Sequence, residues 1–465
     1  MSPPLVVVFL SSWVSGASAA DLLLVGGRVW TGGTSVEYAD IWLEGGQIRA
    51  VGLPGSLTPP ASRVRVDVTG ATVVPGLVDA HVHLSMNPGA AWREDSAEDR
   101  AALLDHHLRA LLASGVTTVL DPAVTVSALA EMRPRIAAGP SPRYLHLGPP
   151  FSPPGGYAAT AVPGFPTVAD HAGVRDQVWQ VAAMGGVGVK VTVEDGMYRP
   201  VWPLFSPERL REIRDAAALA GLPVYAHAMS PREQALAIEV LGASVLVHPL
   251  DRPDSEAVER VRAAGAWQMT TLSPHYALAS AWGRLGVPPL DDPWYQERVP
   301  ELERTTARDP RVQADFRTGL VSLLLPRFPG IPAIAASALP GRMIVRALHR
   351  QEAALRQLAA AGVPLVMGSD SGNWPMITSL FHGTSSIDEL ERLVHAGLDP
   401  ITVLRAATVT PGEMLGLPIG KIEAGYRADL VVVDGDPTQG ISALRRLRLV
   451  VREGVARAPS AWLSE

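Results

Sequence analysis

Apolar and polar positions alternate with a period of two in short segments at both ends of the chain, and runs of longer period fill the stretch between. After Asp21 the alternating segments are 22–25, 29–30, 41–44, 47–51 and 64–68, punctuated by Gly, which predicts small antiparallel strands. The same texture returns at 430–434 and 447–452. Two β-rich ends around a different middle predict one small β-sandwich domain built from residues 20–72 and 418–465. Residues 73–417 then form a domain of their own.

In that middle part, apolar runs suited to buried strands occur at 73–82, 116–120, 144–147, 187–193, 224–228, 245–247, 267–272 and 365–368. Helical patterns lie between most of them, at 97–113, 168–184, 207–220, 231–241, 254–264 and 342–361. Eight strands, each followed by a helical or Pro-rich crossover, predict an α/β fold of the (β/α)8 barrel type. The stretch 280–339 is Pro-rich, weakly periodic and longer than a crossover requires, so it reads as an insertion over the active face. Its Trp282, Trp294, Tyr295 and Phe316 would suit either a pocket lining or packing against the barrel.

Composition narrows the chemistry. The chain has no cysteine, so disulfides, thiolate metal sites and a Cys nucleophile are excluded together. A formal charge of −6 gives no reason to expect nucleic acid or an anionic membrane as partner. The Arg cluster at 445, 446, 448, 452 and 457 alternates with Leu and Val, which reads as a solvated strand face. Residues 1–19 are uncharged, apolar from 5 to 14, and end in Ala17-Ser18-Ala19, which predicts a signal peptide and a secreted or periplasmic protein. The apolar stretch is too short to span a membrane. Of the 40 Lys and Arg residues only two, Lys190 and Lys421, are lysine. A lysine kept inside an apolar strand points to something arginine cannot do, such as losing its proton.

In a barrel of this type catalytic groups sit at the C-terminal ends of the strands. Strand one ends in His81-Val82-His83, strand four contains Lys190, strand five ends at His227, strand six at His248 and strand eight at Asp370. Period-two geometry puts His81 and His83 on one side of the strand, where both can hold one cation. Imidazole and carboxylate suit zinc or a neighbouring divalent ion. His146, His275 and His382 lie near strand ends three, seven and eight as candidate pocket residues. His106, His107, His171, His349 and His395 fall in helices or loops and receive no role.

These residues resemble the metal-dependent amidohydrolase superfamily, in particular its imidazolonepropionase-like and Xaa-Pro dipeptidase-like branch. The matching text includes Val74-Pro75-Gly76-Leu77-Val78-Asp79-Ala80-His81-Val82-His83, Gly115-Val116-Thr117-Thr118-Val119, Gly362-Val363-Pro364-Leu365-Val366-Met367-Gly368-Ser369-Asp370, and the run from Gly420 to Leu430. The resemblance implies two divalent metal ions, zinc being the expected one. His81, His83 and Asp370 would hold one, His227 and His248 the other, with N-carboxylated Lys190 bridging them. It implies hydrolysis of an amide or peptide bond, as in a dipeptide or N-acyl amino acid, by a metal-bridging hydroxide with Asp370 as general base and acid. Where relatives of this branch often read Gly-Gly-His after strand three, this chain has Gly155-Gly156-Tyr157, so Tyr157 becomes a substrate-facing candidate beside His275 and His382. Lys421 matches a turn far from the barrel mouth and reads as structural. The alternatives on the same fold are a mononuclear deaminase or cyclic-amide hydrolase, and an ester or lactone hydrolase. A non-catalytic binding barrel is a further alternative, set against the retention of all six ligand positions. A homo-oligomer is left open.

Overall fold

The computed structural model describes residues 21–60, 64–85, 97–161, 167–168, 171–196, 201–324, 333–372, 377 and 379–464. The expected signal peptide and residues 325–332 of the expected insertion lie outside them. The N-terminal strands are β1 (Leu22–Trp30), β2 (Val36–Glu44), β3 (Gln47–Gly52), β4 (Val64–Asp67) and β5 (Ala71–Pro75). The middle supplies β6 (Leu77–Asp79), β7 (Val116–Asp121), β8 (Arg143–His146), β9 (Val189–Thr192), β10 (Val224–His227), β11 (Val245–Leu246), β12 (Trp267–Met269) and β13 (Leu365–Val366). The chain closes with β14 (Leu430–Asp434), β15 (Leu447–Arg452) and β16 (Val455–Arg457).

Strands from both chain ends join one sheet of order β16-β15-β14-β5-β1-β2-β3, with β4 also on β1. The first half of β1 pairs with β4 and its second half with β5. Its register on β2 shifts between Leu24 and Gly27, a bulge at which Gly26 takes φ 77°. The break lets one strand serve two neighbours, and Leu22, Leu24, Ile41, Leu43, Val73, Leu430, Val432 and Val451 pack into the common core. The Arg cluster of the last segment is engaged in ion pairs, Arg445 with Asp388 and Glu391 and Arg452 with Glu453.

The middle strands are parallel, in the pieces β6-β7-β8 and β9-β10-β11-β12-β13. Val187 N–H to His146 C=O at 2.9 Å joins the pieces on one side, and Ala80 N–H to Met367 C=O at 3.0 Å on the other. The result is a closed eight-strand barrel in the expected order. The expected first barrel strand, 73–82, is in fact two. Its first part is β5, which pairs with β14 from Ala71↔Asp434 to Pro75↔Leu430, so the domain boundary expected at 72/73 runs through a strand of the small sheet. Gly76 makes the transition, donating its N–H to Asp429 C=O at 2.8 Å. A Cβ there would meet Thr117 Oγ1 and lie 2.7 Å from its Cγ2 and 3.0 Å from its Cβ, all on buried β7. Gly76→Ala is therefore expected to destabilise the fold by about 2 kcal/mol, through overpacking. Urea midpoints of the single variant and of a double variant with Thr117→Ala check this, the second change restoring most of the loss.

The expected helices are present, with two differences: 342–361 belongs to a longer helix, Ala333–Ala360, that begins inside the expected insertion, and 231–241 is a short α-helix, Pro231–Ala235, that runs into a π-helical turn, Leu236–Val240. The insertion is largely helical where its sequence is weakly periodic: Pro293–Arg298, Glu301–Arg308 and Pro310–Leu324. Pro293 and Pro310 read as breaks, yet each opens a helix, where its missing N–H costs nothing. The aromatics of the insertion are used in packing. Trp294 and Tyr295 join the main core, the Tyr295 hydroxyl donates to Asp388 at 2.8 Å, and Trp282 meets Phe316 at 6.1 Å. Among the described residues no helix is long and apolar enough to cross a membrane.

Candidate metal centre

The closing seam of the barrel builds the first part of the site. Beyond the end of β6, Asp370 N–H donates to His81 C=O and His83 N–H to Ser371 C=O, both at 2.8 Å. This interleaving sets Asp370 against both imidazoles: its Oδ1 is 3.4 Å from His81 Nε2 and 2.9 Å from His83 Nε2. Asp370 occupies the left-handed region at φ 56°, uncommon for a residue with a Cβ. The turn is held by buried Asp79, which accepts from His81 N–H at 3.2 Å, Ser369 N–H at 3.0 Å and the Ser386 hydroxyl at 2.7 Å. Gly368 is required beside it, since a Cβ there would lie 2.6 Å from His81 Cβ. Buried Asp121 anchors the neighbouring loop through Leu84 N–H, Ala123 N–H and the Tyr144 hydroxyl. Burial pushes both Asp79 and Asp121 up to about 6.

The second part faces the first across the mouth. His227 ends β10 and His248 follows β11, their rings 4.3 Å apart, and His248 is 5.1 Å from His81. His248 Nδ1 bonds Thr271 Oγ1 at 2.9 Å, which turns its Nε2 toward the other imidazoles as the nitrogen that could take a metal. Thr271 is itself held by the backbone around Glu389, a buried carboxylate that accepts from the Thr270 hydroxyl, Leu272 N–H and Ser273 N–H at 2.7–2.9 Å. Lys190 lies on β9 among these groups, 5% exposed, and its charge acts on His81, His227 and His248. Burial draws its amine down to about 8 against the opposing pull of Asp370 and Asp121.

These residues fit a divalent cation. One ligand atom each from His81, His83 and Asp370 lies within 4.8 Å of the others, and all three residues are buried. Burial foremost, with neighbouring positive charge, holds His81 and His248 well below the usual imidazole range and His227 at about 3. Neutral imidazoles keep the lone pair that a metal needs. Buried His81 Nδ1 and His83 Nδ1 have no hydrogen-bond partner among the described residues.

The other candidates divide. Tyr157 stands over His227 at 4.6 Å and touches Trp202 at 5.1 Å. His275, buried and drawn down to about 4 by its burial, lies within electrostatic reach of Asp370 and His248. His382 is set back. Its ring packs at 4.5 Å on His107, whose Nε2 bonds Glu303 of the insertion at 2.5 Å. His146 turns outward to the Met184 carbonyl at 3.2 Å. Sequence reading passed over Glu194, which is 3% exposed with Oε2 3.7 Å from His227 Nε2, and whose carboxyl burial raises to about 8. The period-two spacing Lys190-Thr192-Glu194 was the signal available.

Residues 72–456 match the amidohydrolase family, which covers the barrel and the part of the small domain that follows it, but not β1–β4. The chain belongs to the amidohydrolase family. A dihydroorotase of Pelobacter propionicus is 38% identical to this amidohydrolase over 100 residues, 21% of each chain. A D-aminoacylase of Alcaligenes xylosoxydans xylosoxydans is 31% identical over 123 residues, 26% of this chain and 22% of that protein. The matched stretch thus spans about a fifth of each of these curated relatives. Among solved structures, a Xaa-Pro dipeptidase with bound methionine in its active site superposes with a TM-score of 0.71 at 22% identity, over 94% of this chain and 99% of that one. The fold expected from the sequence is therefore shared, over 94% of the chain, with that Xaa-Pro dipeptidase.

Proposed function

We propose that this amidohydrolase is a metal-dependent hydrolase that cleaves the carbon–nitrogen bond of a small amide or peptide, a dipeptide or N-acyl amino acid. The observation that carries the reading is the pairing of a buried His81-His83-Asp370 cluster with a His227–His248 pair around a buried lysine. His81, His83 and Asp370 would hold one divalent cation and His227 and His248 a second, zinc suiting both donor sets. When bound, the cations lower the pKa of coordinated water and polarise a carbonyl. Lys190 supports the bridging role through its depressed amine: the neutral nitrogen adds to carbon dioxide, an N–C bond forms, one proton leaves, and the carbamate offers two oxygens. Asp370 takes the proton of the attacking water on a carboxylate oxygen and returns it to the departing nitrogen. Tyr157, with burial holding its phenol above the usual range, remains a hydrogen-bond donor toward substrate.

The tight grouping of His81, His83 and Asp370 alone, with only a pair opposite, supports a mononuclear deaminase or cyclic-amide hydrolase as the second reading. A hydrolysis screen over dipeptides, N-acyl amino acids, cyclic amides and lactones, run beside metal analysis and ammonia detection, separates the two. Two metals per chain with amide cleavage supports the first reading. One metal with ammonia release supports the second. Thr271→Val keeps the shape of the side chain but removes the bond to His248 Nδ1. It is expected to weaken binding of the second cation about 10–100-fold, as losses of a partner behind a ligating imidazole do, and competition with a metal-sensitive dye measures it.

A further inference from the structure

Along the end of β9 the side chains sort by alternation. Val189, Val191 and Val193 belong to the main hydrophobic core, whereas Lys190, Thr192 and Glu194 share the opposite face of the strand and its continuation. Glu194 therefore stands one strand repeat beyond Thr192, above Lys190 and beside His227. Its Oε1 accepts the Gly196 N–H at 2.9 Å. Its Oε2 is buried with no hydrogen-bond partner among the described residues, and at 3.7 Å from His227 Nε2 it is too distant for a hydrogen bond there. The neighbouring carboxylates are engaged, Asp195 with Arg232 at 2.6 Å and Asp251 with Arg252 at 3.4 Å. Among the described residues no Arg or Lys forms an ion pair with Glu194. Asp195 and Asp251 add negative potential to the same point. A buried carboxylate in such surroundings is costly unless a cation meets it.

We propose that Glu194 receives the ammonium group of the substrate, so that the site favours amides with a free α-amine, dipeptides rather than N-acyl amino acids. The α-nitrogen of a dipeptide sits two bonds, ~2.5 Å, from the scissile carbonyl carbon. A carboxylate one short step beyond His227 is placed for that nitrogen when the carbonyl lies over the His227–His248 side. Tyr157 and Trp202 close the wall next to it. An N-acyl group would put an uncharged amide against Oε2 and leave the carboxylate without its cation.

The inference rests on the amide-hydrolase reading and is tested by binding, apart from turnover. Calorimetry on the metal-loaded full chain compares L-leucine with 4-methylpentanoate, which has the same carbon skeleton without the amine. Wild type is expected to bind L-leucine at least about 10-fold more tightly, and Glu194→Gln to lose that difference while keeping its metal content by elemental analysis. Equal binding of the two ligands by wild type overturns the proposal without any variant. So does a Glu194→Gln protein that keeps the preference, or one that loses a metal, which makes Glu194 a ligand. Failure of wild type to cleave any amide, with the amine preference intact, overturns the hydrolase reading and leaves the ammonium site standing.

Discussion

Lys190→Arg is expected to yield a folded protein with a reduced metal complement and turnover lowered by about 10³-fold or more. The lysine is buried on an inner strand, and burial already draws its amine down to about 8, so the neutral form is accessible near neutral pH. Arginine keeps the charge but never presents a neutral nitrogen, so it cannot form a carbamate. It would instead set a permanent cation among His81, His227 and His248, where it would repel the metal that these imidazoles are proposed to hold. Lys190→Ala opens space in the same place, and short carboxylic acids such as formate or propionate are expected to restore part of the activity. Elemental analysis beside steady-state kinetics reads both effects. Near-normal turnover of Lys190→Arg with one bound metal would transfer the protein to the mononuclear reading.

Asp370→Asn is expected to lower kcat by about 10³–10⁴-fold, since the residue would give up both a proton-accepting carboxylate and an anionic ligand at one stroke. Asparagine is the informative replacement for a conformational reason. Residue 370 sits at φ 56°, and asparagine tolerates that region better than other side chains with a Cβ. The chain path that joins β6 to β13 should survive, and the thermal midpoint of the metal-free protein should shift by only a few degrees. A comparable fall in metal-free stability would show that the aspartate mainly holds the seam.

Much of this centre is legible in the sequence because its parts repeat a simple rule. Each barrel strand is a short apolar run, and five of the eight carry a candidate ligand at or near the C-terminal end. His81, His83, Lys190, His227, His248 and Asp370 are all found by that rule, and the structure gathers all six. The supporting residues are not, because their partners are far away in the chain. Asp79 reads as one more polar residue beside an apolar run until Ser369 and Ser386 close around it. Thr271 acquires its role only through the ring of His248. The insertion was opaque for a different reason: Pro293 and Pro310 lie at helix starts, where the residue that breaks a helix also begins one. His382 stands one layer back, packed on His107 and within electrostatic reach of His83.

The placement of β14 between β5 and β15 bears on how the chain is made. On a ribosome, β1 to β5 emerge early, but the strand that covers the outer edge of β5 is encoded beyond the whole barrel. At ~5–20 residues per second the interval is on the order of 20–70 s. Through that time the nascent N-terminal sheet carries an open, apolar edge of the kind that recruits other strands. The barrel must therefore be completed while its doorstep is unfinished, and the late arrival of five residues, Leu430–Asp434, seals the edge that every growing chain leaves open.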